Sequence, residues 1–300
     1  MSLFASHELA RALAAVENVQ TRCTTLACDG LSIPAIVING EPLIDRVWLD
    51  YLEPAPGTPE LTVRYLPRVV RGLIPQEGWE DARSGADRIQ AAPLIDWTQF
   101  ANWDDANTWF CRKRSNHNKN LDRIRRKIER EHGTISFNPF DTDETAFDDL
   151  VLWKRLHFAR TGVGDPLAHR SNLALFRELF ISKALHLATI RSGGQVMAAI
   201  LYARQNGRLS YWMVSYNTDL RQYAPGTLLL QDLLADSFAL GDHEFDFMLG
   251  DEDYKWQFAT HTRLIGELGT VPVSRMARRW AGQTKRRLQA TSVGRTAPDS

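Results

Sequence analysis

Residues 223–230 of the chain read YAPGTLLL, and residues 245–258 read FDFMLGDEDYKWQF. The first stretch predicts a helix that begins at Pro225 and Gly226, because proline is favoured at a helix start and leucines recur in the residues after it. The second predicts a short buried strand that ends in acidic groups, a phenol and an ammonium group. A helix start beside the end of a strand offers unpaired backbone N–H groups to an anion. The two stretches together indicate a site that holds a phosphorylated carrier next to polar groups able to act on a carbonyl.

The neighbouring segments complete a mixed sheet around these two stretches. Three antiparallel strands joined by tight turns are predicted at 185–191, 196–204 and 208–215. Helices are predicted at 143–161, 172–183, 226–240 and 253–260, and further strands at 135–138, 244–249 and 264–271. This order predicts an α/β fold with a mixed sheet, of the α+β type.

The first hundred residues show a weaker version of the same alternation. A helix is predicted at 8–19, and strands at 33–38, 47–52, 61–66 and 94–97. A long basic helix is predicted from Thr108 to His132, ending at Gly133. We therefore divide the chain into an N-terminal half, a basic connecting helix, a second α/β domain, and a basic C-terminal helix with its tail. Their bounds are 1–105, 106–133, 134–273 and 274–300.

Composition narrows the possible classes of function. Lys plus Arg equals Asp plus Glu at 36 each, so the chain as a whole is not charged like a nucleic-acid binder. Three cysteines without CxxC spacing argue against a disulfide framework or a structural zinc site, and no metal is expected. The N-terminus lacks a signal-peptide pattern and no apolar run is long enough to span a bilayer, so we expect a cytoplasmic protein.

These stretches resemble the GNAT acyltransferase superfamily, and within it the CelD-like (BioF2-like) acetyltransferase branch that is related to the Fem peptidyltransferases. That branch tends to show a Ser-Pro-Gly helix start, where this chain has Ala224, and an Asp-Phe-x-x-Gly-x-x-x-Tyr-Lys run, which this chain has from Asp246 to Lys255. The basic segment 116–126 resembles the helix that joins the two halves of Fem-type proteins. The resemblance covers roughly residues 108–272 and implies a tandem of two GNAT-like halves.

The resemblance implies that acetyl-CoA binds at the start of the helix after the third strand. The residues expected to hold this co-substrate are Val214, Ser215, Ala224, Gly226, Thr227 and Leu228. Gly226 would let a phosphate approach the backbone, whereas Pro225 lacks an N–H group. The usual GNAT loop reads Gln/Arg-x-x-Gly-x-Gly/Ala, and Tyr223 and Leu228 depart from it. The alternative is that Pro225 and Gly226 merely begin a core helix.

The reacting end is expected at Asp246, Tyr254 and Lys255. Asp246 faces away from the flanking phenylalanines, so it either orients or deprotonates an incoming amine, or accepts hydrogen bonds from loop N–H groups. The resemblance implies that Lys255 stabilises charge at the transferred carbonyl or on the donor's phosphate; the alternative is a salt bridge to Asp251 or Asp253. Tyr254 could protonate the leaving group.

On the acceptor side we expect Lys119, Arg123, Trp212 and Asp251. The first two lie in the segment 112–130, which holds nine Lys or Arg residues against two acidic residues. That segment either binds an anionic substrate or tRNA, or is simply a solvated helix face, and its apolar seam of Leu121, Ile124 and Ile128 should pack against the protein.

The function expected from these features is acyl transfer from acyl-CoA to an amine or hydroxyl of a small molecule or saccharide, by direct attack. One alternative is a Fem-like peptidyltransferase that uses aminoacyl-tRNA, which is the only nucleic acid expected to bind. Another is a non-catalytic pseudo-transferase that serves envelope polysaccharide synthesis. The acceptor and the oligomeric state are not predicted.

Overall fold

The computed structural model describes residues 2–54, 61–79, 89–112, 117–250 and 252–269. Asp251 and the basic helix predicted after residue 273 lie outside the described residues. The fold is mixed α/β, with a four-stranded sheet and an eight-stranded sheet.

The N-terminal half contributes one helix and a small sheet. Its elements are α1 (His7–Glu17), β1 (Thr21–Cys28), β2 (Leu31–Ile38), β3 (Glu41–Pro42) and β4 (Leu61–Thr62). The strand order is β3-β2-β1-β4, with β4 parallel to β1 and the other pairs antiparallel. The helix α1 begins where the side chain of Ser6 accepts a hydrogen bond from the N–H of Leu9 at 3.1 Å, and it ends at Asn18 in the left-handed conformation.

The large sheet draws strands from both halves of the chain. Its strands are β5 (Tyr65–Pro75), β6 (Gln90–Asp96), β7 (Ile135–Asp141), β8 (His186–Ser192), β9 (Gln195–Gln205), β10 (Arg208–Tyr216), β11 (Glu244–Asp246) and β12 (His261–Gly269). The strand order is β5-β12-β6-β11-β10-β9-β8-β7, and β10 and β11 form its parallel pair. Because β5 and β6 pair with β11 and β12, this sheet crosses the boundary that we placed at residue 105, and the division into domains stays a prediction.

Helices cover both faces of the large sheet. They are α2 (Trp103–Cys111), α3 (His117–His132), α4 (Glu144–Thr161), α5 (Arg170–Ile181), α6 (Pro225–Ala239) and α7 (Asp253–Trp256). Successive residues of one strand enter different cores: Ala199 packs with α4, α5 and the N-terminal half, whereas Ile200 packs with α2, α3 and α6. Within the described ranges, no helix is both long and apolar enough to cross a bilayer.

Several local predictions were wrong. Residues 47–52 form no strand, and only Leu52 makes an isolated bridge, to Val69. The strand β1 was missed because half of its sequence, TRCTTLAC, is polar. The helix predicted at 108–132 is replaced by α2 and α3, and α7 is a single turn. The strand predicted at 244–249 stops at Asp246, since Met248 adopts the left-handed conformation with φ of +60°.

Candidate active site

The strands β10 and β11 diverge soon after they meet. They pair only from Arg208 to Ser210 on β10, opposite Glu244 to Asp246 on β11. Beyond Ser210, β10 continues to Tyr216 without a strand on that side among the described residues. A bulge between Tyr211 and Met213 inserts Trp212 into β10 at the start of this unpaired stretch. The divergence leaves a cleft in which the backbone of β10 is free to meet a ligand.

A cation already occupies part of this cleft. The ammonium group of Lys154 on α4 donates a hydrogen bond to the carbonyl oxygen of Val214 at 3.3 Å. Burial lowers the pKa of Lys154, while Glu252 favours its charged form. Ser215, the next residue on β10, is buried. A ligand in the cleft would therefore meet a positive charge at Val214.

The start of α6 presents one unpaired backbone donor. Ala224 adopts the left-handed conformation with φ of +46°, and its carbonyl accepts from the N–H groups of Thr227 at 2.9 Å and Leu228 at 3.2 Å. Pro225 has no N–H group, so the N–H of Gly226 is the one left without a backbone partner in this described turn. Gly226 and Thr227 are partly exposed, whereas Leu228 is fully buried. Leu228, which we expected to bind the donor, is instead placed in the core.

The helix α3 is fastened to the turn that precedes α6. The hydroxyl of Tyr223 donates to Glu131 at 2.6 Å and lies 2.9 Å from Nε2 of His132. This hydrogen bond lowers the pKa of Glu131 and raises the pKa of Tyr223. Lys127 lies over the ring of Tyr223, with its Nζ atom 5.0 Å from the centroid. The last two turns of α3 therefore bring Lys127 and its partner carboxylate Glu131, 3.9 Å apart, beside the start of α6.

Lys119 and Arg123 lie further from that turn. Both are exposed on α3, near Arg125, which forms an ion pair with Asp232 at 2.5 Å in the middle of α6. The predicted apolar seam of α3 is confirmed, since Leu121 and Ile128 are buried against the core shared with α6 and Ile124 packs beside them. The structure does not bring Lys119 and Arg123 next to Asp246 or Lys255.

Asp246 is buried and fully engaged at the end of β11. One carboxylate oxygen accepts the hydroxyl of Tyr51, and the other accepts the N–H of Met248 at 2.9 Å. The guanidinium of Arg263 lies 3.4 Å away. Burial raises the pKa of Asp246, and Arg263 opposes that shift. Of the two roles left open for Asp246, these contacts favour that of a hydrogen-bond acceptor.

Asp246 belongs to a group of buried charges, which we call the buried charge cluster: Arg208, Arg263, Glu53, Glu244 and Asp246. Arg208 pairs with Glu53 at 2.7 Å and Glu244 at 2.5 Å. Arg263 pairs with Glu53 at 3.2 Å and also with Glu244. Glu53 comes from the N-terminal half, so the cluster joins that half to β10, β11 and β12.

Lys255 is held at the segment that leaves β11. Its side chain is 5% exposed, and its ammonium group donates to the carbonyl of Leu249 at 3.0 Å and pairs with Glu252 at 2.8 Å. The left-handed conformation of Met248 turns the chain so that Leu249 reaches this ammonium group. The alternative role considered for Lys255 was a salt bridge to Asp251 or Asp253. Among the described residues its acidic partner is Glu252.

A second carboxylate at this place was missed by the sequence analysis. Asp50 is partly buried, and its Oδ2 atom accepts the N–H of Leu249 at 3.3 Å. Burial raises the pKa of Asp50 to about 6, while the N–H of Leu249 and the charge of Lys255 oppose the shift. A carboxylate within the apolar run WLDYL was the available signal, because a buried charge needs a partner or a role. We call Asp50, Leu249, Glu252 and Lys255 the strand-end site.

Tyr254 and Trp212 point to different cores. Tyr254 packs with the core that contains α6, its ring 6.4 Å from that of Phe247, and burial raises its pKa. Trp212 packs with the N-terminal half, 5.7 Å from Phe4 and 5.1 Å from Phe176. Asp246 and Lys255 thus share one region, and Tyr254 lies on the opposite face of the sheet.

A sheet that diverges beside a helix start is the architecture of a GNAT-type acyltransferase. Residues 115–256 match the family model described as "Acetyltransferase (GNAT) domain", so the chain carries a domain of the GNAT superfamily. No curated protein sequence matches the chain.

Solved structures extend the likeness over both halves. The crystal structure of FemX matches 92% of this chain and 94% of its own, with a TM-score of 0.55 at 10% identity. The C-terminal domain of a putative lysylphosphatidylglycerol synthetase from Agrobacterium fabrum matches 93% of this chain and 92% of its own, with a TM-score of 0.50 at 9% identity. At such identities the likeness shows the fold, and it confirms the expected GNAT-like fold related to that of Fem proteins.

Proposed function

We propose that this protein transfers an acyl group, most simply acetyl from acetyl-CoA, to an amine or hydroxyl of a small molecule or saccharide. The observation that carries this proposal is the cleft between β10 and β11, which has the start of α6 on one side and Lys255 on the other. A thioester donor needs an anchor for its phosphates and a positive charge near its carbonyl, and these two features supply them.

In this proposal the donor lies along β10. The N–H of Gly226, with Thr227 beside it, meets the pyrophosphate, and Lys127, which pairs with Glu131, lies nearby over the ring of Tyr223. The backbone of Val214 and Ser215 contacts the carrier arm, which requires Lys154 to release the carbonyl of Val214. The preceding residue, Ala224, shapes the turn.

At the reacting end, Lys255 stabilises the negative charge that develops on the carbonyl oxygen as the acceptor attacks. Glu252 and the carbonyls of Leu249 and Met248 hold the ammonium group in place, which is the preorganisation that such stabilisation needs. Tyr254 was the expected proton donor to the leaving thiolate, but it lies on the opposite face of the sheet and burial raises its pKa, which makes it a weaker acid, so in this proposal water protonates the thiolate. Trp212 and Asp251 remain the proposed acceptor contacts, whereas Lys119 and Arg123 lie apart from Trp212 on α3, which packs on the other face of the sheet.

Substitution of Gly226 by alanine tests the donor site. The added Cβ would lie 3.4 Å from the ring of Tyr216, an ordinary contact, so the variant should fold and gain up to about 1 kcal/mol of helix propensity. The methyl group would obstruct the phosphate, so we expect the KM for acetyl-CoA to rise about tenfold, equivalent to about 1.4 kcal/mol of binding.

The matched control is Gly164→Ala, where no atom lies within 4 Å of the added Cβ. Millimolar acetyl-CoA should raise the melting temperature of the wild type and the control more than that of the Gly226 variant. An equal rise in all three proteins would place the donor elsewhere.

A second candidate function is aminoacyl transfer from tRNA. It is favoured by the single free amide at the start of α6, which is a weak anchor for a pyrophosphate, and by the exposed cations of α3. Under this reading, aminoacyl-tRNA and not acetyl-CoA would raise the melting temperature, and Arg123→Gln would weaken RNA binding without altering stability. Neither ligand would shift the melting temperature of a non-catalytic pseudo-transferase.

A further inference from the structure

Two carboxylates lie close to the end of β11, and their hydrogen bonding differs. Asp246 has all its oxygens engaged by Tyr51, Met248 and Arg263. Asp50 accepts one hydrogen bond, from Leu249 to Oδ2, and within the described part of the chain its Oδ1 has none. Asp50 is also more accessible than Asp246, which is 1% exposed. A carboxylate that takes up a proton needs a free, reachable oxygen, and only Asp50 of these two offers one.

The position of Asp50 is fixed relative to Lys255. The N–H of Leu249 donates to Asp50 at 3.3 Å, and the carbonyl of the same residue accepts from Lys255 at 3.0 Å. The carboxylate and the ammonium group therefore flank a single residue of the segment that leaves β11. Lys255 also lowers the pKa of Asp50, so a carbonyl that uses the charge of Lys255 would lie in the same region as the free oxygen of Asp50.

We propose that Asp50, contributed by the N-terminal half, is the general base of the transfer reaction. The proposal rests on the proposed function and assigns a catalytic role to that half of the chain. The nitrogen or oxygen of the acceptor forms a bond to the carbonyl carbon of the thioester, and its proton passes to Oδ1 of Asp50. The bond between carbon and sulfur then breaks, and the thiolate leaves and is protonated by water. Asp50 returns its proton to solvent.

The electrostatic surroundings suit this role. The groups that face Asp50 are Arg68 on β5, Lys255 on α7 and Asp246 on β11. Burial and Asp246 raise the pKa of Asp50, the two cations lower it, and the net value is about 6. A base whose pKa lies near the working pH combines a large ionised fraction with a useful affinity for the proton.

The variant Asp50→Asn separates a catalytic role from a structural one. The amide oxygen can still accept the N–H of Leu249, so the fold should persist. Because the pKa of Asp50 is raised, its stabilising contribution is fully present below its unfolded value near 3.8 and is lost as the pH rises through about 6. The variant should therefore melt above the wild type at pH 8 and level with it at pH 4.

The rate of thiol release from acetyl-CoA is measured with glucosamine, lysine and glycerol as acceptors. We expect Asp50→Asn to lower kcat at least 100-fold and to abolish the rise in rate near pH 6, whereas Asp50→Glu should recover part of the rate. The control is Glu41→Gln, an exposed carboxylate of the same half, which should match the wild type.

An Asp50→Asn variant that keeps the wild-type rate and pH profile would overturn the assignment of Asp50 as the base and would leave the proposed acyl transfer standing. If Asp50→Asn fails to fold, Asp50→Glu is the deciding variant. Wild-type stability with a reduced rate and a shifted pH profile would support Asp50 as the base. An unchanged pH profile would overturn that assignment. A wild type that neither releases thiol nor gains stability from acetyl-CoA would overturn the proposed function and the base together.

Discussion

The buried charge cluster and the strand-end site lie at the same end of β11, yet they differ in how their charges are satisfied. In the cluster, two arginines serve three carboxylates, and each carboxylate contacts at least one guanidinium. In the strand-end site, Lys255 contacts two carbonyls and a largely exposed carboxylate, while one oxygen of Asp50 accepts no hydrogen bond. Paired buried charges such as those of the cluster fix two halves of a protein together, whereas a carboxylate with a free oxygen, such as Asp50, is available to a substrate.

The difference also concerns the origin of the residues. Glu53 and Asp50 are three positions apart in the N-terminal half, but the first enters the cluster and the second enters the strand-end site. One short segment therefore ties the halves together and completes the candidate site. This arrangement makes the comparison testable by single substitutions.

The largest effect is expected from Arg263→Met, which would break the cluster. Arg263 is 5% exposed, and its loss leaves buried carboxylates without their partner, so we expect the free energy of unfolding to fall by about 3–5 kcal/mol. Urea denaturation measures this change. The control, Arg155→Met, removes a pair with Asp165 in which the arginine side chain is 51% exposed, and should cost about 0–1 kcal/mol. Equal losses of unfolding free energy in the two variants would show that the cluster stabilises the fold no more than an exposed ion pair does.

Lys255→Met tests the strand-end site. Methionine fills the space of the lysine stem and Glu252, 59% exposed, stays solvated, but the carbonyls of Met248 and Leu249 lose their donor, so we expect stability to fall by about 1–3 kcal/mol. The rate of acetyl transfer should fall by about 10²–10³-fold, because the charge that stabilises the oxyanion is gone. The exposed Lys183→Met is the control. A variant that unfolds while its residual folded fraction keeps the full rate would make Lys255 structural.

Asp246→Asn should have the smallest effect and would sharpen the contrast with Asp50. It removes one charge from the cluster while keeping acceptors for Tyr51 and Met248, so we expect stability to fall by about 1–3 kcal/mol. The rate per folded molecule, measured with the folded fraction from circular dichroism, should stay within a few-fold of the wild type. A stable but inactive variant would instead assign the base to Asp246.

Much of the second half of the fold was predictable from local patterns. The turns at Gly193 and Gly207 and the leucines of α6 specify their elements by rules that act within a few residues. The strand β1 and the segment 47–52 were not predictable in this way. In β1 only alternate positions are buried, and in 47–52 the apolar residues serve core packing and not a sheet.

The candidate site was only partly predictable, for the same physical reason. The sequence pointed to Lys255 and to the start of α6, since an acidic, aromatic and basic run after a buried strand is unusual. Contacts across the sheet then decided which residues lie together. Tyr254 lies on the face of the sheet opposite to Lys255, and Leu228 is buried in the core.

By itself, the sequence determined the class of fold, the start of α6 after the third strand, and the presence of Lys255 just beyond β11. These depend on short-range periodicity and turn chemistry. Only the tertiary structure decided that Asp246 is saturated, that Asp50 stands beside Lys255, and that α3 lies against the start of α6. Partners separated by up to some two hundred residues meet through packing, and the number of hydrogen bonds that each carboxylate receives depends on that packing.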